Sequence, residues 1–208
     1  MKLDVYNISG KKTKKVVSLN KDIFGITPND HAIYLDVKQY LAAQRQGNHK
    51  TKERGEVKGS RRKIRKQKGS GAARVGDIKN PIFRGGGRIF GPKPRKYTIK
   101  LNKKVKKIAR KSALTYKASE NNIIVLEDFS FEHPKTKSYT EFLSVFEQGD
   151  SNTLLVLSES NKNIVLSSRN IKKAKVMLAS ELNTYEILRA KKILVMESSI
   201  TEIEKNCN

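Results

Sequence analysis

Two short apolar groups near the start of the chain predict a pair of strands. The apolar members are Leu3, Val5, Tyr6, Val16, Val17 and Leu19.

A helix is predicted to follow from about residue 27. Thr27 is placed to cap it, Pro28 to occupy its first position, and Asp30 to lie in the positively polarised first turn. Its apolar residues recur at helical spacing and indicate one face turned to a core. They are Ile33, Val37, Tyr40 and Leu41, and the pattern ends at Gly47.

A second amphipathic helix is predicted from about Asn102. Lysines and arginines occupy most of its surface, and the remaining positions form a single stripe that can face a core. The stripe consists of Val105, Ile108, Ala109, Ser112, Ala113 and Tyr116.

The C-terminal half alternates unbroken apolar runs with amphipathic segments. Runs of four cover residues 123–126, 154–157 and 193–196, and shorter runs cover residues 164–166 and 176–178. Tyr139, Phe142, Leu143 and Phe146 have helical spacing, and Asn183 with Glu186 and Ser199 with Glu202 have capping-box spacing. Continuous apolar strands separated by helices are typical of parallel sheets covered on both faces. We therefore predict one α/β domain with a mostly parallel sheet flanked by helices.

Residues 45–96 show neither a helical nor a strand periodicity of apolar residues. These 52 residues contain 18 Lys or Arg, three acids and ten of the 13 glycines, and they supply +15 of the formal net charge of +24. Their few large apolar residues cannot offset the entropy of ordering an independent domain. We predict an extended basic loop inserted into a globular domain made of residues 1–44 and 97–208.

The charge of this loop favours a polyanionic partner, and structured RNA above a B-form duplex. The densest run, Arg61 to Lys68, has six cations in eight residues, and in an extended chain it could reach phosphates on two RNA segments. The alternative, which holds for most short runs of Lys and Arg, is a solvated basic tail or a localisation signal. The predicted RNA-binding residues are Arg45, Lys50, Lys52, Arg54, Lys58, Arg61, Arg62, Lys63, Arg65, Lys66, Lys68, Arg74, Lys79, Arg84, Arg88, Lys93, Arg95 and Lys96.

Residues 82–91 place two aromatic rings and two arginines around three consecutive glycines. In one interpretation the glycine N–H groups approach phosphates while the rings or guanidinium groups stack on unpaired bases. In the other, Phe83 and Phe90 anchor the loop to the globular domain. The residues alone leave both open.

Other chemistry finds little support. Gly86 and Gly91 have the spacing of a nucleotide-binding loop, but Pro92 stands where its lysine is required, and Gly69-Ser70-Gly71 lacks the third glycine of a dinucleotide fingerprint. The histidines, at positions 31, 49 and 133, lack metal spacing, and Cys207 is expected to be a free surface thiol. No cofactor or metal is predicted.

Acidic residues do follow predicted strands, namely Glu127, Asp128, Glu159 and Glu197. A metal-assisted site there would make the chain an RNA-processing or RNA-modifying enzyme with a basic substrate arm, although polar residues usually just end strands. A nucleoid-associated DNA-binding protein is a further alternative.

Several motifs resemble one family. They are Arg45-Gln46-Gly47, the central run from Lys66 to Arg74, the return from Ile82 to Gly87, and Pro134-Lys135-Thr136-Lys137. Their sequence and order are similar to those of bacterial large-subunit ribosomal protein number four, over nearly the whole chain. Ala72 stands where the family often has arginine, and Ile64 where it often has proline.

The resemblance implies a protein without enzymatic activity that binds large-subunit ribosomal RNA early in assembly. It also implies a loop tip that forms part of the polypeptide exit tunnel. Carried onto this chain, the tip is Arg65, Lys66, Gln67, Lys68, Gly69, Ser70, Gly71, Ala72 and Ala73. The expected partners are ribosomal RNA, neighbouring ribosomal proteins and the nascent polypeptide, with neither a membrane nor a second copy of the chain. A cytoplasmic location in the ribosome is expected, since the N-terminus lacks a signal or transit peptide pattern.

Overall fold

The computed structural model describes residues 1–146 and 151–207. Within these residues, six strands form one sheet in the order β2-β1-β3-β6-β4-β5. The strands are β1 (Lys2–Tyr6), β2 (Lys12–Ser18), β3 (Ile123–Leu126), β4 (Thr153–Leu157), β5 (Ala174–Leu178) and β6 (Lys192–Met196). The helices are α1 (Lys21–Phe24), α2 (Asp30–Ala43), α3 (Lys103–Ser119), α4 (Thr136–Val145), α5 (Lys162–Ser168), α6 (Thr184–Arg189) and α7 (Ser199–Cys207), with a 3₁₀ turn at Ala179–Glu181.

The sheet confirms the predicted fold class. Only the β1–β2 pair is antiparallel among the described strands, and β1, β3, β6, β4 and β5 run parallel. In β4 all five residues, Thr153 and four apolar residues, are buried, because helices cover both faces of the sheet. The apolar run at residues 164–166 lies in α5, since its length alone does not distinguish a strand from a helical turn.

Alternate residues of the central strands contribute to two separate cores. Val125, Val156 and Val195 pack in one core, on the face covered by α1, α3, α6 and α7. Leu126, Leu155 and Leu194 pack in the other, with the buried rings of α4 and with Ile164 of α5. This alternation follows from the two-residue period of a strand.

Helix α2 begins two residues later than predicted. The Asn29 side chain accepts a hydrogen bond from the backbone N–H of Ala32 at 3.0 Å, so Asn29 and not Thr27 serves as the cap. The predicted apolar face of α2 is also only half covered. Leu41 is 44% exposed, and Ala32 is the only buried residue of this helix.

Helix α3 buries a stripe rotated from the predicted one. Ile108 is 43% exposed, whereas Leu114 and Ala118 are 2% exposed. Ser112 lies on the buried face because its hydroxyl donates to the Ile108 carbonyl at 2.8 Å and accepts from the Asn29 N–H at 3.0 Å. A buried hydroxyl with both hydrogen bonds satisfied carries little penalty.

The two predicted capping boxes differ in outcome. The Asn183 side chain accepts from the Glu186 N–H at 2.9 Å, which confirms the cap of α6, while the Glu186 carboxylate pairs with Lys175 at 2.7 Å. Ser199 is instead the first residue of α7, and its buried hydroxyl donates to the Met196 carbonyl. The cap predicted at Ser199 is therefore wrong.

The expected surface thiol is also wrong. Cys207 is 1% exposed, because it lies four residues after Ile203 on the same buried face of α7. Burial raises the pKa of the Cys207 thiol. It is therefore poorly placed to react.

The chain divides into two compact units, and the second is inserted between the two parts of the first. One unit comprises Met1–Leu41 with Lys100–Asn208, and the other comprises Ala42–Ile99. No described helix is long and apolar enough to cross a membrane.

Candidate nucleic-acid interface

Beyond the end of α2 at Ala43, the unit Ala42–Ile99 is held together without regular secondary structure. From residue 45 to residue 102 the backbone contains neither helix nor strand, as the lack of periodicity predicts. We call residues 45–64 the outgoing limb and residues 75–96 the returning limb. Backbone N–H groups bridge the limbs from Arg95 to the Gly47 carbonyl (3.2 Å), from Thr51 to Pro92 (3.2 Å), from Arg88 to Lys52 (2.9 Å) and from Ile64 to Gly76 (3.0 Å).

The base of this unit contains a tyrosine between two arginines. The guanidinium carbon of Arg45 lies 3.8 Å from the centre of the Tyr97 ring, and that of Arg95 lies 4.6 Å from it. Gly47 has a φ of +70°, and a Cβ there would lie 2.1 Å from the Arg95 carbonyl oxygen. Tyr97 also shares a 3.2 Å hydrogen bond with the His49 ring. Cation–π contacts of this kind hold the limbs together where they meet.

The hydroxyl of Tyr97 is expected to lose its proton at a lower pH than an ordinary tyrosine. A hydrogen bond from Arg95 and the charges of Arg45 and Arg95 lower the pKa of Tyr97 below its ordinary value of about 10. A lowered pKa means that the fold favours the ionised ring, so the stabilisation appears above the unfolded pKa and is absent at neutral pH. The Tyr116 hydroxyl donates to the Asp30 carboxylate at 2.7 Å, and the pKa of Tyr116 is raised.

Ultraviolet titration of tyrosinate in the native chain and in the Tyr97→Phe and Tyr116→Phe variants separates the two groups. The component lost in Tyr97→Phe should have the lower midpoint of the two. Equal midpoints would show that the arginines do not contact Tyr97 in solution.

The three acids of the unit all form internal ion pairs. Arg54 pairs with Asp77 at 3.1 Å, and the Asp77 side chain is only 9% exposed. Glu53 pairs with Lys93 at 2.7 Å, and Glu56 pairs with Lys50. These acids order the unit, and they leave its large positive excess in place.

Two of the three consecutive glycines do not support the interpretation in which glycine N–H groups approach phosphates. The Gly87 N–H donates to the Lys79 carbonyl at 2.9 Å and the Gly86 N–H donates to Phe83 at 3.0 Å, so neither is available to a phosphate. A Cβ at Gly86 would lie 2.0 Å from the Asn80 carbonyl oxygen, and one at Gly87 would lie 2.3 Å from the Arg54 nitrogen. Close backbone packing therefore requires glycine at both positions.

The predicted tip, residues 65–73, is exposed at every position. Gly69 and Gly71 have φ values of +82° and +62°, and open space surrounds both. The Lys63 ammonium donates to the Gln67 amide oxygen just before the turn. The tip thus presents its cations without packing against the rest of the unit.

The predicted RNA-binding cations are almost uniformly accessible. Seventeen of the 18 are exposed, and only Lys79, at 8% exposure, is buried. The two limbs carry these cations along their whole length as well as at the tip. A role in RNA binding remains a prediction for each of them.

The two phenylalanines of the returning limb differ in solvent exposure. Phe83 is half-buried, but Phe90 is fully exposed and has a φ of +54°. The interpretation of Phe90 as an anchor is therefore wrong.

The acids at the strand ends do not assemble a metal site. Lys15 lies between Glu127 and Glu197, at 3.6 and 3.1 Å. Asp128 accepts a 2.7 Å hydrogen bond from the Ser198 hydroxyl and, with Glu159, lines an open cavity of about 500 Å³. In the described parts of the chain, no three His, Cys, Asp or Glu residues are grouped so that they could hold a metal ion.

A folded α/β unit that carries an ordered, exposed and strongly cationic segment defines a structural nucleic-acid-binding protein. Comparison with known proteins narrows this class. The chain belongs to the ribosomal protein L4/L1 family, whose model matches residues 17–206.

Similar proteins cover the chain from end to end. It is 60% identical over 208 residues to the large ribosomal subunit protein uL4 of Amoebophilus asiaticus, covering 100% of this chain and 99% of the relative. It is 58% identical over 204 residues to the uL4 of Phocaeicola vulgatus and 57% identical over 204 residues to that of Christiangramia forsetii, with 98% of each chain covered. Members of this family are structural ribosomal proteins and not enzymes, which confirms the predicted family and the predicted lack of catalysis.

Proposed function

We propose that this chain is a structural component of the large ribosomal subunit that binds large-subunit ribosomal RNA early in assembly. The observation that carries the proposal is the unit Ala42–Ile99, in which 17 of the 18 cations of residues 45–96 are exposed along two backbone-paired limbs and the segment that joins them. Phosphate contacts distributed in this way suit a folded RNA with several adjacent backbones. The name shared by its relatives supports the subunit assignment.

The tip, residues 65–73, then lines the polypeptide exit tunnel next to the nascent chain. Its full exposure and the two glycines with positive φ support a segment shaped to fit a space formed by other molecules. The α/β unit contacts neighbouring ribosomal proteins and RNA, and the protein functions as one copy per subunit in the bacterial cytoplasm.

Binding to deproteinised large-subunit ribosomal RNA is expected to weaken steeply with salt. The logarithm of the affinity should fall linearly with the logarithm of salt concentration, with a slope of roughly 0.7–0.9 per phosphate contact. Sedimentation of the chain with large subunits after a high-salt wash tests incorporation. A flat salt response, or absence from washed subunits, would contradict the proposal.

Two alternatives are tested in the same assays. The triple variant Glu127→Gln, Asp128→Asn and Glu159→Gln should bind RNA and enter subunits like the native chain, whereas an enzyme acting at the strand ends would lose its RNA-linked function. Duplex DNA should compete poorly with ribosomal RNA. Equal competition would favour a nucleoid protein.

A further inference from the structure

Phe90 is placed in a way that the free chain does not explain. Its ring is fully exposed, at 102% relative exposure, so it adds nothing to the packing of the isolated protein. Its backbone has a φ of +54°, a conformation that residues other than glycine rarely adopt. An exposed aromatic side chain in a disfavoured conformation indicates a function outside the chain.

Contacts on both sides of Phe90 hold this conformation. Before it, the Arg88 N–H donates to the Lys52 carbonyl at 2.9 Å, and after it, the Pro92 carbonyl accepts from the Thr51 N–H at 3.2 Å. At Gly91 the backbone is so close to Thr51 that a Cβ would lie 1.8 Å from the threonine hydroxyl oxygen. The ring is thus presented by a turn fixed to the outgoing limb.

A cavity of about 470 Å³ adjoins the ring. Phe90 and Ile89 line it together with three cations, Arg54, Arg88 and Lys93, and one acid, Glu53. Its volume is within the roughly 300–1,000 Å³ range of small-ligand sites. Lys93 is paired with Glu53 at 2.7 Å and Arg54 with Asp77 at 3.1 Å, so the cavity combines an aromatic face with the remaining charge of Arg88.

We propose that this cavity, which we call the Phe90 site, binds one unpaired nucleotide of the RNA, with its base stacked on the Phe90 ring. A neighbouring phosphate then lies against Arg88. An apolar segment of a neighbouring protein suits the site less well, because it would cover the Arg88 charge without compensating it. The inference rests on the proposed function and adds a specific nucleotide-binding site to it.

The test measures the affinity of the full chain for deproteinised large-subunit ribosomal RNA. Phe90→Ala and Phe90→Leu should each weaken binding by about 5-fold to 140-fold, the range for loss of one base–aromatic stack. Phe90→Tyr should bind like the native chain. Ile82→Ala is the matched control, since Ile82 is 82% exposed on the same limb but does not line the cavity, and its affinity should stay within about twofold of native.

Three readouts distinguish stacking from a structural effect. Phe90→Gly removes the ring and suits a positive φ, so its thermal stability should equal or exceed that of the native chain while its RNA affinity falls as in Phe90→Ala. The salt dependence should keep its slope in all the Phe90 variants, because no phosphate contact is removed. One unpaired base should be protected from chemical modification by the native chain and not by Phe90→Ala.

The inference is overturned if Phe90→Ala binds within about twofold of native or if no base loses protection. It is also overturned if Phe90→Leu retains native affinity, since this would indicate apolar contact with a protein or sugar. If the native chain shows no salt-dependent binding to the RNA, the proposed function is contradicted. If the native chain binds the RNA and the Phe90→Ala variant binds equally well, the Phe90 site alone is contradicted.

Discussion

Replacing residues 53–87 by an Asn-Gly turn is expected to leave the α/β unit folded and to eliminate stable incorporation into large subunits. The turn is feasible because the Lys52 carbonyl and the Arg88 N–H, at the ends of the deletion, lie 2.9 Å apart. The deletion removes 11 cations. Even at about 0.3–0.5 kcal/mol for each cation–phosphate pair, their loss costs about 3–6 kcal/mol, more than about a hundredfold in RNA affinity.

Circular dichroism, thermal unfolding and sedimentation with subunits measure the two effects separately. A full-length control with glutamine at the six cations of residues 61–68 separates charge from length, and it should reduce both the affinity and the salt slope. Unfolding of the deletion variant would show that the α/β unit depends on the basic segment. Normal incorporation would show that RNA binding resides elsewhere in the chain.

Leu155→Ala is expected to cause a large loss of stability without a direct effect on RNA binding. Leu155 is 0% exposed and lies in β4, which pairs with β6 on one side and β5 on the other. Truncating such a side chain removes buried contacts and leaves a cavity that the strands on both sides cannot fill. The expected loss is about 2–5 kcal/mol in the free energy of unfolding, or roughly 4–20 °C in Tm.

Leu166→Ala is the matched control, because Leu166 lies on α5 and is 39% exposed. Its cost should stay below about 1 kcal/mol. At temperatures where both variants are folded, they should bind RNA with native affinity. A smaller effect at Leu155 than at Leu166 would contradict the assigned core, and reduced RNA affinity of folded Leu155→Ala would show that the core and the interface are coupled.

The fold class could be read from the sequence because the apolar pattern is local. Residues 123–126, 154–157 and 193–196 are unbroken apolar runs, and only a sheet covered on both faces buries every side chain of such a strand. The cap at Asn183 was equally readable, since the side chain and its N–H partner are three residues apart.

Predictions that depended on distant partners were less accurate. The start of α2 was placed near Thr27, whereas Asn29 caps the helix and also donates its N–H to Ser112 on α3. Cys207 was expected at the surface, but α7 packs its face against the sheet. The Asn29–Ser112 hydrogen bond and the packing of α7 each join segments far apart in sequence.

In the candidate site, too, local features could be predicted from the sequence and contacts between distant residues could not. Its cations and glycines were evident from composition, because charge accumulates without regard to conformation. The Tyr97 stack at its base, the pairing of Arg54 with the nearly buried Asp77 and the exposure of Phe90 were not. No local pattern indicates which limb residues face each other.

Local patterns along the chain predict the α/β class, the positions of most strands and helices, and a basic segment suited to RNA. These properties depend on side-chain period, propensity and net charge over neighbouring residues. The pairing of the limbs, the need for glycine at positions 86 and 87 and the exposure of Phe90 become evident only in the folded chain. Those outcomes depend on backbone approaches between residues far apart along the chain, and steric contact in three dimensions sets them.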